Sequence, residues 1–76
     1  MPRFHFDIHE NGSLIPDDDG RDLVDEDDAR KEAVLTGTSI ARDAFIAGSA
    51  NRIVVSVREK GAPFLKISIT LEVDEA

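Results

Sequence analysis

The stretch DEDDARKEAVLTGTSIARDAFIAG, from Asp25 to Gly48, carries the one sustained helical period in the chain. At about 100° per residue, Ala29, Ala33, Val34, Gly37, Ile40, Ala41, Ala44 and Phe45 fall within an arc of roughly 160°, which forms a single apolar face. Most of these side chains are small, so the helix axis can lie close to whatever covers it, with Val34, Ile40 and Phe45 supplying the volume. A sheet is the natural cover. Asp25 is placed as N-cap with Asp28 in a capping-box position, Val24 is set to staple onto Ala29, and Gly48 is the C-terminal stop. Gly37 in mid-helix costs about 1 kcal/mol relative to Ala, so it marks a close approach of backbone to a neighbour. The opposite arc holds Lys31, Leu35, Ser39, Arg42 and Ile46. Leu35 and Ile46 interrupt this polar face, either as scattered surface hydrophobes or as a docking stripe for another chain.

Upstream, Arg3-Phe4-His5-Phe6-Asp7-Ile8-His9 alternates strictly, with Phe4, Phe6 and Ile8 on one face and Arg3, His5, Asp7 and His9 on the other. That is the pattern of a half-buried strand. Asn11-Gly12 is the preferred pair for a type I′ hairpin, which sets Glu10 against Ser13, His9 against Leu14 and Ile8 against Ile15, the last two facing inward. Pro16 has no N–H for a ladder, so the second strand is short and lies at a sheet edge. Asp17 to Asp22 reads as a turn leading through Leu23 and Val24 into the helix.

Downstream, Ser49-Ala50-Asn51 is a connector, and Arg52 to Arg58 alternates again with Ile53, Val55 and Val57 inward. The last run places Leu65, Ile67, Ile69, Leu71 and Val73 inward, with Phe64, Lys66, Ser68, Thr70 and Glu72 outward. A two-residue loop at Lys60-Gly61 would send the two apolar sets to opposite faces, so an extra residue is required. A three-residue loop, Glu59-Lys60-Gly61 with a bulge at Gly61, supplies it and sets Val55 against Leu65 and Ile53 against Ile67. Leu71 then falls opposite Ser49 and Val73 opposite Ala47. The end of the strand is therefore frayed, covered by the helix end, or paired with a second molecule by strand addition. The expected fold is α+β, one domain over residues 1–76 with 74–76 as a frayed tail. It has ββαββ order, with the helix on one face of a four-stranded, mainly antiparallel sheet of order 2-1-3-4, or alternatively 2-1-4-3.

A chain of 76 residues is too short for a deep substrate cavity and gains from self-association. Its 41% hydrophobic content is that of a folded protein, and its net charge of -7 disfavours a duplex-binding surface while allowing a basic protein partner. No apolar run is long enough to span a membrane and the opening lacks an apolar signal core, so the expected location is cytoplasmic. The absence of cysteine excludes disulfides, thiolate metal sites and a cysteine nucleophile.

Eight carboxylates between Asp17 and Asp28 raise the question of a divalent-cation loop, with Asp17, Asp19, Asp22 and Glu26 as candidate ligands. An EF-hand alignment on Gly20 places Ile15 at the first ligand position, which argues against that motif. Asp25, Glu26, Asp27 and Asp28 also have a structural role, since a helix N-terminus favours negative charge. His5 and His9 share a strand face but stand roughly 13 Å apart at about 3.3 Å per residue, too far to chelate one ion. His5 and Asp7 can form a hydrogen-bonded pair, yet no third group converges on them, and no catalytic residue or cofactor is expected.

The opening Met1-Pro2-Arg3-Phe4-His5-Phe6-Asp7-Ile8-His9, then Gly12, Asp18-Asp19-Gly20, the Leu23–Ala33 helix start and Leu71-Glu72-Val73, resemble a family of short alphaproteobacterial proteins built on a domain of unknown function. The chain departs from that family at Phe4, where Tyr is common, and at Val24, where Pro is. The resemblance implies a shared fold and no activity. The hairpin followed by an acidic helix start is more loosely similar to the domain of HicB-type antitoxins, which are acidic and neutralise a small basic toxin; the DNA-binding tail usual there is absent.

The expectation is a small non-enzymatic interaction module, self-associating as a homodimer, whose surface comprises Leu35, Arg42, Ile46, Leu71 and Val73. The alternatives are an antitoxin-like acidic inhibitor of a basic enzyme and a weak divalent-cation binder.

Overall fold

In a computed structural model covering residues 1–76, one helix lies across one face of an open antiparallel sheet. The elements are β1 (Arg3–Glu10), β2 (Ser13–Ile15), β3 (Arg21–Asp22), α1 (Glu26–Ala47), β4 (Arg52–Glu59) and β5 (Ala62–Thr70). The four principal strands run in the spatial order β2-β1-β4-β5, and β3 is a fifth, pairing with β1 beside β2. The expected architecture holds, with one addition: Arg21–Asp22, read as turn, bonds against Arg3 and Phe4.

Asn11 and Gly12 take positive φ, as a type I′ turn requires, and Ile8 faces Ile15, His9 faces Leu14 and Glu10 faces Ser13 as the sequence predicts. Ile15 shares the face of Ile8 but lies beyond the cover of the helix and is 56% exposed. On α1, Asp25 Oδ1 accepts from Asp28 N at 2.9 Å, and Gly48 ends the helix with its N–H on the carbonyls of Ala44 and Phe45. The buried stripe is Ala29, Ala33, Gly37, Ala41 and Ala44. A Cβ on Gly37 would stand 2.9 Å from Ile69 Cδ1 and 3.0 Å from Val55 Cγ2, which accounts for glycine at the centre of the helix. Phe4, Phe6, Ile8, Ile53, Val55 and Val57 complete the core from the sheet. Val34, expected inside, is 46% exposed on the flank of the stripe. Val24 does not staple; it is exposed, and Leu23 packs on the core instead.

The β4–β5 hairpin meets the parity requirement differently from expectation. Lys60 and Gly61 form a two-residue turn, both with positive φ, and Glu59 pairs with Ala62. The extra residue is Phe64, bulged between the pairs Arg58–Pro63 and Val57–Leu65. Phe64, expected to face water, packs on Phe4 with ring centroids 5.9 Å apart. Val55 consequently faces Ile67 and Ile53 faces Ile69. Leu71 meets Asn51, not Ser49, its N–H donating to that carbonyl at 2.9 Å. Residues 71–76 carry no regular structure, and Leu71 and Val73 are exposed rather than inward.

Candidate functional site

Beside β1 the sheet edge is interrupted. β2 covers Ile8 to Glu10 and β3 covers Arg3 and Phe4, so on the side away from β4 His5 to Asp7 have no strand alongside them. Pro16 ends β2, and the loop that follows returns to this gap through Asp17. Asp17 Oδ2 accepts from Phe6 N at 3.0 Å, Asp17 Oδ1 accepts from Gly20 N at 3.0 Å, and Asp17 N donates to Asp7 Oδ1 at 2.9 Å. One side chain thus replaces a missing ladder bond and closes its own turn. Gly20 is held at φ 74° with an added Cβ only 2.9 Å from both Arg3 Cγ and His5 Cε1, so the loop lies directly on the strand.

Three basic side chains fasten the loop. Arg3 forms a fork on Asp22 at 3.0 and 3.2 Å and donates to the Asp19 carbonyl at 2.7 Å. His5 Nδ1 lies 2.9 Å from the Asp17 carbonyl, which can only accept, so Nδ1 carries the proton. Arg58, on the neighbouring strand, binds both oxygens of Asp7 at 2.7 and 3.0 Å and the Asp17 carbonyl at 3.2 Å. On the other sheet face Arg21 pairs with Glu32 of α1 and lies over the Phe6 ring.

The electrostatics follow from these bonds. The Arg58 guanidinium holds the Asp7 carboxyl below the usual carboxylate range, against the opposing effect of burial. For Asp17, burial acts upward most strongly, but the N–H groups of Phe6 and Gly20 and the nearby His5 together outweigh it and the value is lowered. Arg58 is raised by its hydrogen bonds to Asp7. Both oxygens of Asp7 and both of Asp17 are occupied by partners within the fold. His5 bonds to Asp17, not to Asp7 as the sequence suggests.

The candidate cation ligands are placed apart. Asp17 is committed to backbone N–H groups and Asp22 to Arg3, while Asp19 offers its carbonyl to Arg3 and Glu26 belongs to the first helical turn. No three His, Asp or Glu side chains are arranged to hold a metal ion. Next to the Asp7–Arg58 pair, an open groove of about 440 Å³ runs over β4 and β5, with Ser56, Phe64 and Lys66 along it.

The expected interaction residues form two groups. Leu35, 61% exposed, and Ile46, 82% exposed, stand on the outer face of α1 with Arg42, which reaches Asp43 at 3.4 Å. Leu71 and Val73 follow β5, at the end of the fold where α1 also terminates. The sequence reading missed the Asp7–Arg58–Asp17 cluster. Its available signal was Pro16-Asp17 directly after an edge strand, with Asp7 and Arg58 on the water-facing positions of two alternating strands.

No helix is long and apolar enough to cross a membrane. No curated protein and no solved structure matches the chain. The pattern of DUF6894, a domain of unknown function, matches residues 3–70, from the first residue of β1 to the last of β5, and the chain belongs to that family.

Proposed function

We propose that this protein is a small non-enzymatic interaction module that also associates with itself. The observation that carries this is the contrast between its two sheet edges. On the β1 side, polar groups are consumed in fastening the Asp17 loop to the sheet. On the β5 side, a nine-residue strand lies open, with exposed Val34 and Leu71 beside it and Leu35 and Ile46 on the helix above. Apolar side chains held outside a small core on rigid elements suit a surface for another chain. A cytoplasmic location accords with this reading.

The test uses the full chain as bait beside a Leu35→Asp/Ile46→Asp variant whose helix content is verified by circular dichroism. Each captured protein is purified and its binary Kd measured. A complex weakened about tenfold or more by the variant supports the module. A chain that forms no binary complex and does not self-associate up to ~1 mM overturns it.

An antitoxin-like inhibitor is favoured by one observation: Asp18, Asp19, Glu26 and Asp27 stay exposed around the start of α1. It predicts a basic enzyme as partner, inhibition of that enzyme, and affinity that falls steeply with salt.

A further inference from the structure

We propose that β5 pairs antiparallel with the β5 of a second copy, two-fold symmetric about Ser68, so that the two sheets become one. This rests on the module reading above and names its partner and register. The orientation of the open edge follows from one bond. Leu71 N donates to the Asn51 carbonyl, so Leu71, Ile69, Ile67 and Leu65 turn their N–H and C=O groups toward β4. Thr70, Ser68 and Lys66 turn theirs outward, where no strand lies. The opposite edge of the sheet is closed by a three-residue β2, Pro16, the Asp17 bonds and β3.

Charge selects the occupant. Ala62–Thr70 contains no acidic residue and one cation, Lys66, whereas eight carboxylates lie between residues 17 and 28, against the far edge and the helix start. A molecule of net charge -7 meets a copy of itself with least repulsion at β5. Lys66 also makes no ion pair within its own chain.

Chemistry then selects the register. A two-fold axis normal to the sheet places one outward-bonding residue opposite its own copy. Centring on Lys66 would oppose two like charges, which destabilises a ladder. Centring on Thr70 would set Lys66 against the partner's Asp74, beyond the regular strand. Centring on Ser68 sets Lys66 against the partner's Thr70 and Ile67 against the partner's Ile69, all within the regular strand. Apolar positions meet on the helix side, and Lys66 meets a neutral hydroxyl rather than a like charge on the other.

The helix fits the same arrangement. It lies over β4 and β5 more than over β1. Its Glu32 and Asp43 face the β1 side, where Glu32 pairs with Arg21 and Asp43 shares a cleft with Glu10. Val34, roughly 200° around the helix from Glu32, is therefore on the flank above β5. In the joined sheet the two helices lie on one face, two to three strand spacings or about 10–14 Å apart. That is close to the helix contact range of about 8–10 Å, and it gives the 46% exposed Val34 a covering surface.

Sedimentation velocity of the full chain between ~10 μM and ~1 mM tests the association. Ser68→Pro removes an N–H that points away from β4, so the native ladder is kept and the dimer Kd is expected to rise at least about tenfold. Since the chain has no cysteine, Ser68→Cys provides a second, independent test. Under mild oxidation it is expected to give a disulfide dimer, whereas Lys66→Cys and Thr70→Cys do not, their copies lying about 14 Å apart in this register. A wild-type chain that stays monomeric throughout overturns the proposal. So does a dimer that crosslinks at Lys66→Cys or Thr70→Cys rather than Ser68→Cys, although that outcome leaves the module reading intact. Absence of any Leu35- and Ile46-dependent complex beside a Ser68-centred dimer strikes the partner-binding part of the module reading alone.

Discussion

Replacing Asp17 by Ala removes the acceptors of two backbone N–H groups, those of Phe6 and Gly20, each bonded at 3.0 Å. A hydrogen bond to a charged acceptor contributes about 1.5–3 kcal/mol net. Asp17 is half-buried and water can reach part of the vacated space, which brings the expected loss to roughly 2–4 kcal/mol. For a chain of 76 residues the whole stability is on the order of 4–11 kcal/mol at about 0.05–0.15 kcal/mol per residue, so the loss is a large fraction of it. The melting temperature should fall by roughly 8–32 °C, at about 4–8 °C per kcal/mol. The chain has neither Trp nor Tyr, so far-UV circular dichroism in urea is the suitable readout. Asp18→Ala is the matched control, an exposed neighbour whose side chain makes no bond in the fold, and it should stay within about 0.5 kcal/mol of wild type. If Asp17→Ala unfolds at the same urea concentration as Asp18→Ala, the Asp17 loop is not a structural latch and its role must be sought elsewhere.

Acid should destabilise the protein through the same cluster. Asp7 and Asp17 both titrate lower in the folded chain than in the unfolded one, so their contribution is complete above the unfolded value of about 3.9 and is lost as pH falls through the lower folded values. Urea midpoints measured from pH 6 down to pH 2 should drop most steeply below about pH 4, and Asp7→Asn should flatten that slope; an unchanged slope refutes the assignment. Gly37→Ala sets a helix-propensity gain of about 1 kcal/mol against an overpacking cost of about 1–3 kcal/mol at Val55 and Ile69. A net loss near 1 kcal/mol is expected, partly relieved by Ile69→Val, and clear stabilisation would show that the helix is free to lift. Asp25→Ala removes the bond to Asp28 N and should cost about 1 kcal/mol in the same assay, with no loss expected for Asp27→Ala beyond about 0.5 kcal/mol.

The parts of this fold that are local in sequence are the parts legible from it. The span of α1, its caps, the Asn11-Gly12 turn and the β1–β2 register each depend on residues within a few positions of one another. Periodicity and turn chemistry are sufficient there. The Asp17 cluster depends on distance. Asp7 meets Arg58 because β1 lies beside β4 in a register that sets His5 against Arg58, and nothing near either residue encodes that pairing. The eight clustered carboxylates suggest cation binding when read as a string. In the fold the protein's own cations and N–H groups occupy several of them: Arg3 reaches Asp22, the N–H groups of Phe6 and Gly20 reach Asp17, and that of Asp28 reaches Asp25.

The β4–β5 hairpin shows where a correct constraint still leaves the answer open. Alternation demands one unpaired residue between Val57 and Leu65, and this holds wherever that residue sits. Placing it in the loop leaves Phe64 facing water. Placing it at Phe64 allows the tighter Lys60-Gly61 turn, whose twist matches that of the strands, and brings the Phe64 ring to 5.9 Å from Phe4, which is fully buried. Burying an aromatic side chain contributes about 1.5–3 kcal/mol when complete and part of that when half-buried. Packing against a residue some sixty positions away therefore favours the bulge at Phe64 over a bulge in the loop. The two-residue shift in register has a further consequence at the other end of the hairpin. Ile67 and Ile69 come opposite Val55 and Ile53, above which Gly37 lets the helix descend, and Leu71 gains Asn51 as a partner. Beyond the bulge, Leu65 to Thr70 keep one unbroken register with Val57 to Arg52, which is the condition for the outer edge of β5 to present Lys66, Ser68 and Thr70 at alternate positions.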